Sequence, residues 1–472
     1  MTDNHRNGNG FDLASARSIH VVGAGGAGMS AIATVLAGMG KQVSGSDLKD
    51  SAALRRLEAV GVTVHVGHSA DHVGSVDAVA ISTAVSRSNP EVAAALHRHI
   101  PVLRRAEILR AVCGTRPTVA VAGTHGKTTT SSMLALILVE AGLHPSFLVG
   151  GDLNEVGGGA VWDAAHPDAP FVVEADESDG TFVELGARDV IVTNVEPDHL
   201  DHWGGFRALA AAFERFVRDA PGIHVVCIDE PGGAGLAERT GAVTCGSLRP
   251  AAWRMDVLET GRDGSRFRVV HGGADVAEVV LAVPGVHNAR NALTATAMAA
   301  ELGAPVDAAA RALARYAGVA RRWQYRGEAG GITFVDDYAH LASEVAAAID
   351  TGRQGRWKRV VAVFQPHRFS RTAVLWPSFA DAFVEADVVV VTDVYPAGEP
   401  ARPGVTGKLI VDAVLDAHPA ARVAWLPARR DAVAYLAQAL RPGDLCLTLG
   451  AGDLTAMPDE VIAALDDAAG PG

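Results

Sequence analysis

The chain has 472 residues, 49% of them hydrophobic and 20% charged, a length that suggests about three domains with full cores. Its net charge of −13 argues against nonspecific binding to nucleic acid or an anionic membrane. No long uncharged apolar run and no leader-like segment is visible, and the four scattered cysteines (Cys113, Cys227, Cys245, Cys446) form no C-x-x-C, so a reduced cytoplasmic enzyme without membrane insertion is expected.

Residues 1–17 are polar and read as a disordered tail. Ile19 to Val22 then reads as a strand, followed by Gly23-Ala24-Gly25-Gly26-Ala27-Gly28 and a helix over Met29–Met39. Gly23, Gly25 and Gly28 fit G-x-G-x-x-G, with Gly26 adding a further flexible point. Such glycines allow a tight turn and close approach to a diphosphate. A second strand over 42–44 ends near Asp47, about twenty residues past the loop, where an acid can accept from a ribose or sugar hydroxyl. Helix 51–60 and strands 62–66 and 76–81 continue the alternation. The last ends near Ser82 and Thr83, at the strand end where open α/β sheets hold ligands.

Thr118 to Thr130, TVAVAGTHGKTTT, repeats the design with different chemistry. Val119–Ala122 reads as a buried strand, Gly123, Thr124, His125 and Gly126 as a loop, and Lys127, Thr128 and Thr129 as its exit into a helix. Loop glycines and helix-start N–H groups cradle a phosphate, a lysine reaches the outer phosphates and a hydroxyl can ligate Mg²⁺. The pattern is the shortened G-x-x-G-K-T, with Val121 where the longer form has glycine. Lysine is scarce (positions 41, 49, 127, 358 and 408), so Lys127 is the one lysine between residues 50 and 357. A dehydrogenase explains the first glycine loop but has no need of a second phosphate loop. An enzyme that joins a nucleotide-carried substrate to something at the expense of ATP does.

Phe171-Val172-Val173-Glu174-Ala175-Asp176-Glu177-Ser178-Asp179 is a strand ending in acids, as a Mg²⁺–phosphate site asks. Val190–Val192 leads likewise into Thr193-Asn194-Val195-Glu196-Pro197-Asp198-His199. The Asp/His cluster has no cysteine or H-E-x-x-H beside it, which speaks against zinc. Pro284 to Asn291 reads as a loop ahead of a helix over 292–302, with Asn288 and Asn291 placed to bond a base edge or cap the helix.

GTHGKTTT, EADESD, TNVEPDHLD and PGVHNARNA, in this order, resemble the Mur ligase family, the ATP-dependent amide ligases of peptidoglycan synthesis. GAGGAGMS followed by VSGSD is similar to the members that attach L-alanine to UDP-N-acetylmuramate. The resemblance runs from Ile19 to about Gly452. It implies an α/β chain of three domains. These are an N-terminal Rossmann-like UDP-sugar domain (18–114), a central P-loop ATPase-like domain with a mainly parallel sheet (115–320) and a C-terminal Rossmann-like amino-acid domain (321–472). It also implies ATP with Mg²⁺ (or Mn²⁺) as cofactors, UDP-N-acetylmuramate and L-alanine as partners, and a monomer or weak homodimer.

By this resemblance Lys127 serves the transferring phosphoryl group, and Thr128 and Glu174 hold Mg²⁺. His199 serves a second metal, and His287, Asn288 and Asn291 lie along ATP. Arg322 and Asp337 complete the ATP site. The N-terminal glycines with Asp47, Ser82 and Thr83 hold the UDP-sugar. Further on, strands at 332–335, 360–364, 388–392 and 444–449 end in polar residues. Gln365-Pro366-His367-Arg368-Phe369-Ser370-Arg371 resembles a family motif implied to handle substrate carboxylates and the incoming amino acid, with Arg368 catalytic. Two arginines can hold carboxylate oxygens in forked geometry. Tyr338 and His340 fall in the family's D-D-Y-[AG]-H-H-P-[ST]-E motif. This chain departs from it at Leu341 and Ala342, which puts the amino-acid preference in question. Trp323 stands where the family commonly has Phe. Two rival readings are a murein tripeptide ligase on the same UDP-sugar and a non-catalytic nucleotide-binding relative.

Overall fold

The computed structural model describes residues 11–82, 84–153 and 158–469. The chain divides into two compact units. One holds Met1–Glu196, Arg207–Trp253 and Thr294–Ala312; the other holds Pro197–Phe206, Arg254–Leu293 and Leu313–Gly472. The disordered tail expected over 1–17 is corrected for 11–17. There the chain makes a turn, with Leu13 and Ala16 buried, because the Lys41 ammonium donates to the carbonyls of Leu13 (2.8 Å) and Ala16 (2.6 Å).

The first unit opens with a parallel sheet of β1 (Ser18–Val22), β2 (Gln42–Asp47), β3 (Thr63–Val66), β4 (Ala78–Ile81) and β5 (Val102–Arg104), in the order β3-β2-β1-β4-β5. Helices α1 (Ala27–Gly38), α2 (Ala52–Ala59), α3 (Pro90–His97) and α4 (Arg105–Cys113) make the crossovers. The order reverses between β1 and β4, so their carboxyl ends flank a crevice. Val21 and Val22 of β1 are fully buried, as continuous apolar runs in covered parallel strands are.

The second sheet starts with β6 (Thr118–Ala122). Helix α5 (Lys127–Glu140) follows, then β7 (Ser146–Leu153), β8 (Gly158–Val161), β9 (Phe171–Glu174) and β10 (Asp189–Val192). Short α6 (Leu200–Trp203) and α7 (Phe206–Asp219) precede β11 (His224–Cys227), α8 (Pro231–Thr240) and β12 (Val243–Gly246). In this first unit the strand order is β12-β11-β10-β6-β9-β7-β8, parallel except for β8. Helix α5 is buried from Thr128 to Leu138. Ser131 and Ser132 satisfy their hydroxyls on carbonyls three residues back, at 3.1 and 2.9 Å, while the neighbouring buried Thr130 hydroxyl has no partner among the described residues.

Beyond β12 come β13 (Trp253–Gly261), β14 (Gly264–His271) and β15 (Ala274–Leu281), the last two paired antiparallel. Helices α9 (Val286–Glu301) and α10 (Val306–Ala314) follow. Helix α9 begins well ahead of the expected residue 292. Asn288 and Asn291 therefore lie inside its first turns rather than in a loop before it, and the Asn288 amide donates to Pro284 O (2.7 Å).

The third sheet, in the second unit, runs β16-β17-β21-β18-β19-β20. Its strands are β16 (Gln324–Ala329), β17 (Ile332–Asp337), β18 (Arg359–Phe364), β19 (Val388–Val391), β20 (Val423–Trp425) and β21 (Asp444–Leu449). Only β16 is antiparallel to its neighbour. The helices are α11 (Ala342–Gln354), α12 (Phe369–Leu375), α13 (Lys408–Ala417), α14 (Arg429–Ala439) and α15 (Met457–Ala469). The fold is thus three-domain α/β with mainly parallel sheets. No helix among the described residues is long and apolar enough to cross a membrane.

Phe364 is fully buried and meets the rings of Phe379 and Phe383 at centroid distances of 5.1 and 5.5 Å. Phe364→Ala is expected to destabilise the second unit by about 3–5 kcal/mol. Urea unfolding followed by near-UV circular dichroism would measure this, and a loss under about 1 kcal/mol would show that this aromatic trio is not a core element.

Candidate functional site

The second glycine loop is fixed by the strand beside it. Strands β6 and β10 are parallel neighbours, so the segment leaving β10 runs along the loop leaving β6. Asn194 accepts from His125 N through its side-chain oxygen (2.9 Å) and donates to His125 O (3.0 Å). Thr193 Oγ1 also donates to His125 O. Thr124 Oγ1 donates to Glu196 O (3.2 Å) and accepts from Glu196 N (2.9 Å), while the His125 ring pairs with Glu196 (3.1 Å). Gly123 has φ +139°, and a Cβ there would fall 2.0 Å from Thr193 Oγ1, so only glycine fits.

Lys127 is nearly buried inside this loop. Its ammonium donates to Gly123 O (2.7 Å) and Thr124 O (3.2 Å) and pairs with Glu177 (2.8 Å). Burial alone would lower its pKa; Glu177, Asp176 and Glu174 together outweigh that and raise it, so it stays a cation. Burial pushes Glu177 up to about 7 despite Lys127, and Asp176 adds to the rise. Three carboxylates face one lysine, and the most buried acid is the one that most readily takes a proton to relieve the excess negative charge.

Thr128 Oγ1 donates to Glu174 Oε2 (2.9 Å), which also accepts from Gly150 N (2.8 Å). A Cβ at Gly150 would lie 2.5 Å from that oxygen, so β7 can pass this closely only with glycine there. The hydroxyl and carboxylate expected to hold Mg²⁺ are therefore adjacent, beside surplus negative charge. That donor set fits a hard divalent cation.

In the N-terminal sheet the first glycine loop is pinned to β2. Gly23 N and Ala24 N donate to Ser46 O (both 2.9 Å), and Gly25 N donates to Asp47 Oδ2 (2.9 Å). Ser82 N donates to Val22 O (3.2 Å), which sets Ser82 beside Gly23. Gly26 caps α1 and Gly28 lies in its first turn. Thr83 lies outside the described residues.

Two features here escaped sequence reasoning. Arg105 lies against Gly28 of the first glycine loop and pairs with Asp176 (3.8 Å), one of the acids that face Lys127. Glu91, fully buried, accepts from Ser46 Oγ (2.6 Å) and meets His68 and His72 (2.9 Å each). Burial would raise its carboxyl, but bonds from His20, Ser46 and His72 hold it down at about 2. The signal was faint: His65, His68 and His72 crowd into a short stretch with no motif spacing, and His20 lies far from them in sequence.

The second unit carries a separate cluster. Asp198, 3% exposed, takes both arms of Arg371 (Nε–Oδ1 3.0 Å, Nη2–Oδ2 3.2 Å) and meets His199 Nε2 (3.1 Å). Burial would raise the Asp198 carboxyl, but Arg371, His199 and His340 keep it below its usual value. His199 has left-handed backbone (φ 50°) and caps α6. Arg368 also has positive φ (70°), as does no ordinary residue without support. Its N–H donates to Tyr395 O (2.9 Å) and its carbonyl accepts from Thr372, which provides that support. Asp198, His199, Arg368 and Arg371 line one concavity. The forked carboxylate contact expected of Arg371 is thus made to Asp198.

His367 stacks on Tyr395 (5.5 Å) and approaches His340 (6.0 Å) and Arg371 Nη1 (3.3 Å). Burial, then His340 and the arginines, push His367 down to about 3. Burial pushes His340 down to about 4, Arg371 adding to it against the pull of Glu344. His340 Nδ1 lies 3.0 Å from Tyr338 O; a neutral ring donates there and leaves Nε2 as acceptor. Arg321 and Arg322 lie over the Tyr338 ring at 4.8 and 4.9 Å. Asp337 accepts from Trp323 N and Ala339 N (2.8 Å each), and burial raises its carboxyl to about 6. The His287 ring packs against Gly285.

Across the departure at Leu341 and Ala342 the motif's own glutamate, Glu344, caps α11: its carboxylate accepts from His340 N (2.9 Å) and Leu341 N (3.1 Å), so the helix entry is held without the proline. Leu341 itself is buried.

Comparison with known proteins agrees along the whole chain. Residues 18–116 match the Mur ligase family catalytic domain, 121–299 the Mur ligase middle domain and 321–452 the Mur ligase glutamate ligase domain. The chain belongs to the Mur ligase family. It is 48% identical to a UDP-N-acetylmuramate–L-alanine ligase of Kineococcus radiotolerans (94% of this chain, 95% of that one). It is 44% identical to the enzyme of the same name from an Anaeromyxobacter strain (95% and 98%). Among solved structures, it resembles the UDP-N-acetylmuramate–alanine ligase of Thermotoga maritima with TM-score 0.77 at 28% identity, covering 96% of this chain and 100% of that one. A murein peptide ligase of Psychrobacter arcticus gives TM-score 0.65 at 26% identity, covering 95% and 98%.

Below pH 6.5 the unfolded chain protonates its histidines while folded His340 stays neutral down to about 4. The stability attached to His340 is therefore complete above 6.5 and is lost as the pH falls toward 4. His340→Asn is expected to lose less melting temperature than wild type between pH 6.5 and 4. Equal losses in calorimetry would show that His340 is not held neutral.

Proposed function

We propose that this chain joins L-alanine to the lactyl carboxylate of UDP-N-acetylmuramate, splitting ATP to ADP and phosphate, in cytoplasmic peptidoglycan precursor synthesis. The observation that carries the reading is the Lys127–Thr128–Glu174 cluster in a chain akin over nearly its full length to UDP-N-acetylmuramate–L-alanine ligases. The nearer likeness to the Thermotoga enzyme than to the Psychrobacter murein peptide ligase favours L-alanine over a tripeptide. The intact lysine, hydroxyl and carboxylate disfavour a non-catalytic relative.

The work is divided among domains at 18–114, 115–320 and 321–472, for UDP-sugar, ATP and amino acid, in a monomer or weak homodimer. A carboxylate is a poor electrophile, so the lactyl group is first phosphorylated to an acyl phosphate. The amine then adds and phosphate leaves. Lys127 neutralises the transferring phosphoryl group, and the Gly123–Thr129 backbone, laced to Thr193–Glu196, holds it in place. Thr128 and Glu174 are the groups that would hold Mg²⁺ or Mn²⁺, and His199 is assigned to a second such ion; when bound, these ions would offset phosphate charge and polarise the acyl oxygen.

His287, Asn288 and Asn291 bind ATP, with Arg322 and Asp337 contributing. Gly23, Gly25, Gly26, Gly28, Asp47, Ser82 and Thr83 hold the UDP-sugar, and Arg105 adds a cation beside its diphosphate. Arg368 takes a substrate carboxylate. Arg371 fixes Asp198 and orients His367. Neutral His340 offers Nε2 to the incoming ammonium, and Tyr338 closes that side.

Two measurements test the reading. Lys127→Ala is expected to lower ATP-dependent phosphate release about 10³-fold or more while UDP-sugar binding persists; turnover within tenfold of wild type would sink the assignment. With wild type, phosphate release is expected to be strongest with L-alanine among L-alanine, glycine, L-serine and the murein tripeptide. A preference for the tripeptide would move the substrate and keep the mechanism.

A further inference from the structure

At the end of α5 remote from the glycine loop, three side chains converge that the ligase reaction does not use. His144 lies in the turn leaving α5, and Asp163 and His166 lie between β8 and β9. Asp163 Oδ2 is 2.8 Å from His166 Nδ1 and 3.8 Å from His144 Nδ1. One ligand atom from each of the three lies within 4.8 Å of the others, the one such trio of His, Cys, Asp or Glu among the described residues. The two imidazoles are stacked nearly parallel, 3.8 Å between centroids and 8° between planes.

We propose that His144, Asp163 and His166 form a surface site for a divalent first-row transition metal, with Zn²⁺ the ion that fits. Two imidazoles and one carboxylate are ligands for Zn²⁺, Co²⁺, Ni²⁺ or Cu²⁺ rather than for Mg²⁺. Tetrahedral ligands about 2.0–2.2 Å from a metal stand roughly 3.3–3.6 Å apart. The 3.8 Å separation is close to that, the 2.8 Å hydrogen bond opens by less than an ångström, and the two stacked, half-exposed rings must turn out of their parallel planes for both lone pairs to face one ion. Water completes the shell, since both histidines are about half exposed.

The surroundings hold these groups in place. Asp163 Oδ1 is occupied by Ala165 N (2.9 Å), which leaves Oδ2 toward both rings. Asp163 N donates to Ser146 Oγ (2.9 Å), and Arg116 Nη1 donates to the same hydroxyl (2.7 Å), so the acid is tied to the first residue of β7, two positions after His144. His144 keeps a left-handed backbone (φ 49°), which glycine would adopt with less strain. The opposing charge is Arg116. Its other arm reaches Asp163 O (3.3 Å) and its guanidinium lies flat on Trp162 (3.7 Å), so it is engaged by the main chain and a ring rather than by the carboxylate.

A 14-residue helix is about 21 Å long, and the site lies at the end away from Lys127. The metal would clip the start of β7 to the segment entering β9. It would act on stability, not on the chemical step.

The test uses the full-length chain stripped with chelator and titrated with Zn²⁺ by calorimetry and with Co²⁺ by visible absorption. Wild type is expected to bind one Zn²⁺ in the micromolar range, give the intense bands of low-symmetry Co²⁺, and melt higher with Zn²⁺. His144→Ala and His166→Ala are each expected to weaken binding about 10-fold or more and to remove the Zn²⁺-dependent rise in melting temperature. Asp163→Asn, which keeps the hydrogen-bonding shape and removes the charge, checks the result if an alanine variant melts lower without metal. The chain has 18 histidines, so the comparison decides. Equal Zn²⁺ affinity in wild type and the His144→Ala/His166→Ala double variant, or binding only in the millimolar range, would overturn the site.

Discussion

One lysine held among three buried or half-buried carboxylates is the constraint on which the central domain depends. Lys127 cannot neutralise Glu174, Asp176 and Glu177 together, and burial makes the surplus expensive. Such a cluster persists only if the surrounding backbone fixes it and if the function needs a further cation. Both conditions are met by the architecture. The loop is bolted to the tail of β10 by Thr193, Asn194 and Glu196, and α5 is buried from Thr128 to Leu138, so the loop and the helix start that follows it are held on both sides.

The second cluster solves a different problem with the same physics. Asp198 is held ionised by a bidentate arginine, and the two imidazoles nearby are discharged mainly by burial, with Arg371 adding to it at both and Arg368 and Arg321 at His367. Neutral histidines beside arginines can accept a hydrogen bond without repelling an ammonium ion themselves. At the departure from the family pattern the shared Glu344 carboxylate still caps the helix entry through two N–H groups, and the buried Leu341 adds apolar packing in place of a polar ring.

The glycine loops and the acids at strand ends were legible because their chemistry is local. A strand, a flexible turn and a helix start lie within about fifteen residues, and each signal is carried by residue type at fixed spacing. Asn288 and Asn291 were misread as loop residues because Gly285 looks like a breaker, whereas at φ 100° it marks the helix entrance. The strands β11 to β15 and the edge strands β16 and β20 were missed: β13 and β15 mix exposed and buried positions, and β16 and β20 are short edges with a weak apolar pattern, whereas β11 and β12 carry no chemical motif that would single them out.

The sequence by itself determined the alternation of strands and helices, the two phosphate loops, the acids and histidines beside them, and the family. It did so because backbone conformation at glycine, helix starts and buried strands responds to neighbours a few residues away. Only the tertiary structure decided which of those polar groups meet. That Arg371 is engaged by Asp198, 173 residues distant, that Arg105 reaches Asp176, and that Glu91 gathers a serine and histidines around one buried charge all depend on how elements far apart in sequence pack. That packing is set by the cores as wholes, and no local spacing encodes it.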